Sequence, residues 1–217
     1  MVFAAIAVVI AAYFIGSVNF AVIFAKAFLK KDVRNLGSGN AGATNVMRTA
    51  GFLPGILTFV CDALKGFLAS YLGKLVFGLV MSSGANWLHP IYGAYFCGVA
   101  CMLGHVFPVF FQFKGGKGIL SGGTLVWLLD WRVGLIAWGL FAALWLLTKY
   151  VSLGSVCAAA SMPVTTFFFC GRSLLYTALA VLITALVIWC HRENITRLLH
   201  HQERKFQWHT GTPKEKE

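Results

Sequence analysis

The sequence predicts an all-α, polytopic integral membrane protein of about seven transmembrane helices, and three observations carry that expectation. Of 217 residues, 59% are hydrophobic and only 12% charged, with a mean hydropathy of +0.76; soluble domains run near about 45–50% apolar and about 25% charged. No soluble core of this size could hide that excess, so the bilayer acts as solvent. Charges interrupt the apolar runs at intervals suited to crossings, and the basic residues gather on alternate connections. A cytosolic enzyme, a secreted disulfide scaffold and a disordered chain are excluded.

A helix needs about 20 apolar residues to cross the hydrocarbon. The first span, 2–29, begins with an uncharged run over 2–25 that no Lys or Arg precedes, which favours a spanning helix over a cleaved signal peptide. The second, 51–81, is interrupted by Asp62, Lys65 and Lys74. From 75 to 113 no Asp, Glu, Lys or Arg occurs. These 39 residues suit two crossings around a turn at Ser82, Ser83, Gly84, Asn86 and Pro90, which makes 87–109 the third span. The fourth, 118–130, contains only 12 uncharged residues and is either a short helix shielded by its neighbours or a re-entrant element. Spans over 133–148, 152–171 and 173–192 complete one integral membrane domain covering 1–217, with 202–217 a loose tail. Cys61, Cys97, Cys101, Cys157, Cys170 and Cys190 lie in or beside apolar runs and read as reduced packing residues.

If the spans alternate, Lys30, Lys31, Arg34, Arg48, Lys114, Lys117, Lys149 and six basic residues from Arg192 to Lys216 share one side, against Arg132 and Arg172 on the other. By the positive-inside rule the first side is cytoplasmic, so the N-terminus lies outside and the C-terminus inside. This placement also explains the net charge of +11 without nucleic acid, which calls for a continuous basic patch.

The basic side carries the three dense polar motifs. In GSGNAGATNVMR (37–48), Gly37, Gly39 and Gly42 allow a tight backbone that turns several amides toward one point, as in an anion nest. Ser38, Asn40, Thr44 and Asn45 add neutral donors, and a helix starting near Ala43 would aim its positive end there, with Arg48 one turn on. The plain alternative is a flexible, polar-capped loop. In GHVFPVFFQFKGGKG (104–118), Lys114 and Lys117 flank Gly115 and Gly116 and precede Gly118, joining point charges to exposed amides. This is no Walker A sequence, because Phe111 stands where that motif needs glycine; an ordinary basic interface turn is the competing account. In HRENITRL (191–198), His191, Asn194 and Arg197 stand three apart on one helix side, facing either a pocket or solvent. Asp62 and Lys65, also three apart, can neutralise each other inside the second span. Ser152 and Ser155 either meet a ligand or cap a helix. His105 fits a proton acceptor, a phosphate donor or a satisfied interface histidine, and Asn19 has no evident role.

Donors for two phosphate groups at a lipid surface point to phospholipid chemistry, carried out by an enzyme or a carrier. The three motifs, with DALKG (62–66) and SLGS (152–155), resemble the bacterial acyl-phosphate:glycerol-3-phosphate acyltransferases of the PlsY type. Order and spacing agree over essentially the whole chain. Departures are Ile119, Leu120, Ser121 and Gly122 after the second motif, and His201 where glycine is common before an acidic residue, here Glu203. The resemblance implies seven helices with the motifs on the cytoplasmic side of the bacterial inner membrane. It implies acyl transfer from acyl phosphate to the sn-1 hydroxyl of glycerol 3-phosphate, releasing phosphate and lysophosphatidic acid in the first acylation of phospholipid synthesis.

On that footing Ser38, Arg48 and Lys117 would hold glycerol 3-phosphate. The backbone of 37–42 and 115–118, with Lys114, Ser152, Asn194 and Arg197, would hold the acyl phosphate. Lys117, His191, Ser152 and His105 are the candidate catalytic residues, with either histidine or the leaving phosphate taking the hydroxyl proton. An activated acyl phosphate needs no Ser or Cys nucleophile, and Phe110 and Thr196 occupy the positions a His-x4-Asp pattern would fill with Asp. No metal, cofactor or obligate protein partner is expected beyond membrane lipid and the two substrates. The alternative reading is an organic-anion or phosphate-ester transporter, whose site belongs near the midplane.

Overall fold

The structure, a computed structural model, describes residues 2–85 and 89–207. Among them are eleven α-helices and no strand. Helices α1 (Val2–Ser17) and α2 (Phe20–Leu29) divide the first apolar run. At the break the Asn19 side chain accepts from the Val22 N–H at 3.1 Å and caps α2. The carbonyl of Val18 accepts from Lys65 Nζ at 2.7 Å. Backbone polar groups away from water need an internal partner, so this break is tolerable because the next long helix supplies a lysine.

A short α3 (Ala43–Ala50) precedes α4 (Phe52–Ser82), whose 31 residues carry the buried Asp62 and Lys65. The expected turn follows at Ser83 and Gly84, with Asn86 outside the described residues. Helix α5 (Pro90–Val106) starts with proline in its first turn, where a missing N–H costs nothing. Next come α6 (Ile119–Gly123) and α7 (Leu125–Leu129), then α8 (Trp131–Thr148), α9 (Val151–Phe169), α10 (Leu174–Cys190) and α11 (Arg192–Leu199).

By length and apolarity five segments can cross a membrane: Val2–Leu29, Phe52–Ser82, Pro90–Phe111, Trp131–Thr148 and Val151–Phe169. A sixth is added if α10 and α11, bent by 63°, form one broken span. The short fourth element, Ile119–Leu129, reaches about 16 Å as helix, roughly half the hydrocarbon thickness. Its central kink leaves the Gly123 carbonyl to accept from Trp138 Nε1 of α8 at 2.7 Å, so a neighbour again completes the backbone.

Small residues let the helices approach. Gly73 of α4 and Gly93 of α5 meet backbone to backbone, and Gly104 of α5 lies against the Tyr13 carbonyl of α1. This is how helices associate where lipid offers no hydrophobic drive. Large apolar side chains such as Phe3, Leu79, Leu147 and Leu174 point outward, as a lipid-facing surface requires. Arg34 Nη1 donates to the Phe111 carbonyl at 2.7 Å and the Phe206 N–H to the Lys149 carbonyl at 2.7 Å. These bonds draw the motif-bearing connections to one end of the bundle.

Replacing Gly104 with Val places a side chain on the Tyr13 carbonyl. Forcing α1 from α5 should cost about 1–3 kcal/mol, read as a lower thermal transition in detergent.

Candidate active site

The first motif folds around one side chain. Asn45, 1% exposed, donates through Nδ2 to the carbonyls of Val33, Leu36 and Asn40 at 3.0–3.2 Å. Its Oδ1 accepts from the Ser38 N–H at 3.0 Å. Gly37 and Gly39 take φ values of +58° and +74°, which only glycine adopts freely, so the loop closes over the amide. Asn45 is therefore an organiser of the loop and its amide is engaged, contrary to its expected role as a phosphate donor. The nest is partly self-satisfied too: the Gly39 N–H donates to Leu36 and the Gly42 N–H to Asn40. Among the described residues, the Ala43 and Thr44 amides in the first turn of α3 have no backbone acceptor. Ser38 and Gly39 are exposed and Asn40 half-buried.

The second motif shows the same economy. The Gly115 N–H donates to the Val106 carbonyl at 3.2 Å and the Gly116 N–H to the His105 carbonyl at 3.1 Å. These two amides, expected to cradle a phosphate, are engaged by carbonyls in this arrangement. Gly118 has φ +74° and caps α6. Lys114 is exposed, apart from the cluster described next.

Lys117 turns inward. Its Nζ hydrogen-bonds Asn194 Oδ1. Asn194 Nδ2 donates to Glu203 Oε1 at 2.7 Å, Ser152 Oγ donates to the same oxygen at 2.9 Å, and Arg197 Nε donates to Oε2 at 2.8 Å. Arg48 joins the edge through Nη2, which donates to the Arg204 carbonyl at 3.2 Å. Four expected site residues, Lys117, Ser152, Asn194 and Arg197, thus converge on or beside one carboxylate, with Arg48 alongside. That carboxylate was missed as a site residue; its only trace in the sequence is an acid following a basic helix. The loose tail expected from 202 is pinned over 203–206, since Glu203 is bonded three times and Phe206 is buried; residues 208–217 lie outside the described chain. His201, at φ +57°, adopts the left-handed backbone that accounts for glycine being common there.

The charges respond to this crowding. Burial lowers the Lys117 ammonium to about 8, an effect that Glu203 opposes and Arg197 reinforces. Burial pushes the Glu203 carboxyl up, but hydrogen bonds from Arg197, Asn194 and Ser152 outweigh it and hold the group below the usual range. His191, 3% exposed, has Nδ1 at 2.8 Å from the Val187 carbonyl. A carbonyl only accepts, so the proton is assigned to Nδ1 and Nε2 keeps a lone pair. Ser155 donates back to the Val151 carbonyl at 2.9 Å within its helix.

An apolar cavity of about 410 Å³ is lined by Thr44, Gly118 and Ser155, chain neighbours of the clustered residues, together with Val126, Ala137 and Met162. From Ser155 to Met162 along α9 is about 10 Å, so the cavity extends along that helix away from Ser152.

The family model for glycerol-3-phosphate acyltransferases matches residues 6–201. The chain belongs to this family. A glycerol-3-phosphate acyltransferase of Endomicrobium trichonymphae is 40% identical over 200 residues, covering 92% of this chain and 94% of that one. One of Aquifex aeolicus (strain VF5) is 40% identical over 203 residues, covering 93% and 99%. The crystal structure of PlsY, an integral membrane glycerol 3-phosphate acyltransferase, aligns in its glycerol 3-phosphate form with a TM-score of 0.81 at 38% identity, covering 94% of this chain and 96% of that one. The lysophosphatidic acid form aligns with a TM-score of 0.77 at the same identity, covering 94% and 95%. In the family frame, the three motifs meet at one end of a membrane-embedded helical bundle.

Asn45→Ala removes four hydrogen bonds, leaving the Ser38 N–H without its acceptor and the carbonyls of Val33, Leu36 and Asn40 with their backbone donors alone. Stability should fall by about 2–4 kcal/mol, with faster hydrogen exchange over residues 36–42.

Proposed function

We propose that this protein transfers a fatty acyl group from acyl phosphate to the sn-1 hydroxyl of glycerol 3-phosphate at the cytoplasmic face of the bacterial inner membrane. The observation that carries the reading is the meeting of Lys117, Asn194, Ser152 and Arg197 around one anion, Glu203; their chain neighbours Gly118, Val151 and Phe206 line an apolar cavity. Such a site suits a molecule with an anionic head and a long apolar tail. A buried acyl chain gains about 0.8 kcal/mol per CH₂, so the donor enters from the lipid side while its head stays with the cations. The excess of basic residues on the motif-bearing connections supports the cytoplasmic assignment, with the N-terminus outside.

In this reading Ser38, Arg48 and Lys117 bind the glycerol 3-phosphate dianion. Ser152, Asn194, Arg197 and the open amides of Ala43 and Thr44 bind the acyl phosphate. The sn-1 oxygen attacks the acyl carbonyl carbon, a C–O ester bond forms, and the bond from that carbon to the phosphate oxygen breaks. Fixed cations offset the charge that grows on the departing phosphate. The leaving phosphate takes the hydroxyl proton, while His191 orients the acceptor through the lone pair on Nε2.

Purified protein supplied with acyl phosphate and glycerol 3-phosphate should release phosphate and form lysophosphatidic acid. Turnover with acyl-CoA or acyl carrier protein but none with acyl phosphate overturns the donor assignment. Lys117→Ala and Arg48→Ala should abolish turnover in folded protein, whereas His191→Ala should retain residual activity; complete loss in His191→Ala with substrate still bound would make that histidine the base.

Lys117 is cationic below about 8 and neutral above it, and the cation is the form that holds a phosphate. The KM for glycerol 3-phosphate should therefore rise as pH climbs through about 8. Since an arginine stays charged to about 12 or beyond, an active Lys117→Arg should lack that break.

A further inference from the structure

Beneath the two glycine-bearing motifs lies a charged cluster that the proposed reaction does not use. Lys65 Nζ forms an ion pair with Asp62 Oδ1 at 2.7 Å and has two hydrogen-bond partners, the Val18 carbonyl at 2.7 Å and His105 Nδ1 at 3.0 Å. Asp62, Lys65 and His105 are each 5% exposed or less as residues. We propose that Asp62 and Lys65 are positioning residues that fix His105 with its proton on Nε2, and that this N–H donates to a substrate phosphate oxygen at the seam between the two glycine motifs.

An ammonium offers three protons and accepts none. The carboxylate and the carbonyl have no proton to return, so Nδ1 also accepts, and the single proton of a neutral imidazole is assigned to Nε2. A ring protonated at both nitrogens would set two donors head to head at 3.0 Å. Asp62 Oδ1 stands 3.6 Å from Nδ1, too far to claim that nitrogen for itself. Position follows from the backbone. A Cβ at Gly116 would fall on His105 Nε2 and beside the Ala41 carbonyl, so Nε2 reaches the line where the first motif, through Ala41, touches the second, through Gly116. No described residue hydrogen-bonds Nε2. His105 is 4% exposed as a residue, yet its Nε2 is not among the fully buried atoms that lack a partner, so this nitrogen is left open to an arriving acceptor.

The arrangement explains why charges are held inside an apolar run. Lys65 alone would complete the Val18 carbonyl, but the full triad also sets the direction of a proton. It further separates the two histidines: His191 presents an acceptor at Nε2 and His105 a donor, so His105 is a phosphate ligand and no general base. Tautomers set by a second hydrogen bond are a general property of histidine.

The inference rests on phosphate binding at this site, and its test is separable from that reading. With ¹⁵N-histidine protein in nanodiscs, the His105 signals, assigned by their loss in His105→Gln, should show a bare Nδ1 and a protonated Nε2. In Lys65→Met the proton should move to Nδ1, facing Asp62. His105→Leu should raise the KM for glycerol 3-phosphate, or weaken inhibition by inorganic phosphate, at least about tenfold, as expected for a hydrogen bond to a charged group. His105→Gln, whose amide nitrogen reaches the place of Nε2, should recover much of that loss, whereas His105→Asn should not. A proton on Nδ1 in the wild type overturns the proposal, as does equal affinity in the Leu, Asn and Gln variants. Wild-type protein that shows the expected nitrogen signals but neither turns over the two substrates nor binds inorganic phosphate instead refutes the acyltransferase reading.

Discussion

Positive charge held at the edge of a low-dielectric slab must find a negative partner, and the polar end of this bundle is organised by that demand. Lys117, Arg48 and Arg197 lie within reach of one carboxylate, Glu203, which also collects hydrogen bonds from Ser152 and Asn194. Desolvation weakens the hold of Lys117 on its proton, so the site has more to gain from an arriving phosphate dianion than an exposed lysine would. The same carboxylate fastens residues 203–206 over the end of α9. One interaction both closes the C-terminal segment and gathers side chains of the second and third motifs around an anion.

A second constraint, that no backbone polar group can be left open in lipid, accounts for the placement of several side chains that look functional in isolation. Asn19 caps the restart of the first apolar run, Lys65 completes the Val18 carbonyl at the break, and Trp138 completes Gly123 at the kink of the short fourth element. In the glycine loop, outside the spans, Asn45 ties together carbonyls that already hold backbone donors and accepts from the Ser38 N–H. The glycines there work chiefly by conformation: their positive φ values let the loop close, while several of their amides bond within the loop and leave anion binding to side chains and the first turn of α3.

The site was legible in its chemistry and much less so in its assignments. The three motifs and the placement of their basic residues at one end could be read because charge and glycine are rare in an apolar chain and stand out against it. The internal bonds of Asn45, Gly115 and Gly116 were not legible, because spacing cannot tell a donor aimed at a substrate from one aimed at a neighbouring carbonyl. Glu203 was overlooked for the converse reason. A lone acid in a basic tail looks solvated until the chain folds back, and its partners lie 51, 9 and 6 residues away.

By itself, the sequence determined the solvent of this protein, its helical class and the end of the bundle that carries chemistry, because composition and charge spacing respond to the bilayer directly and locally. Tertiary structure alone decided which donors are open and which are engaged, where the tail lies, how far the short fourth element extends, and which neighbours the rings of His105 and His191 meet. Those outcomes depend on hydrogen bonds between residues far apart in the chain, and a donor's availability is a property of its partners in space.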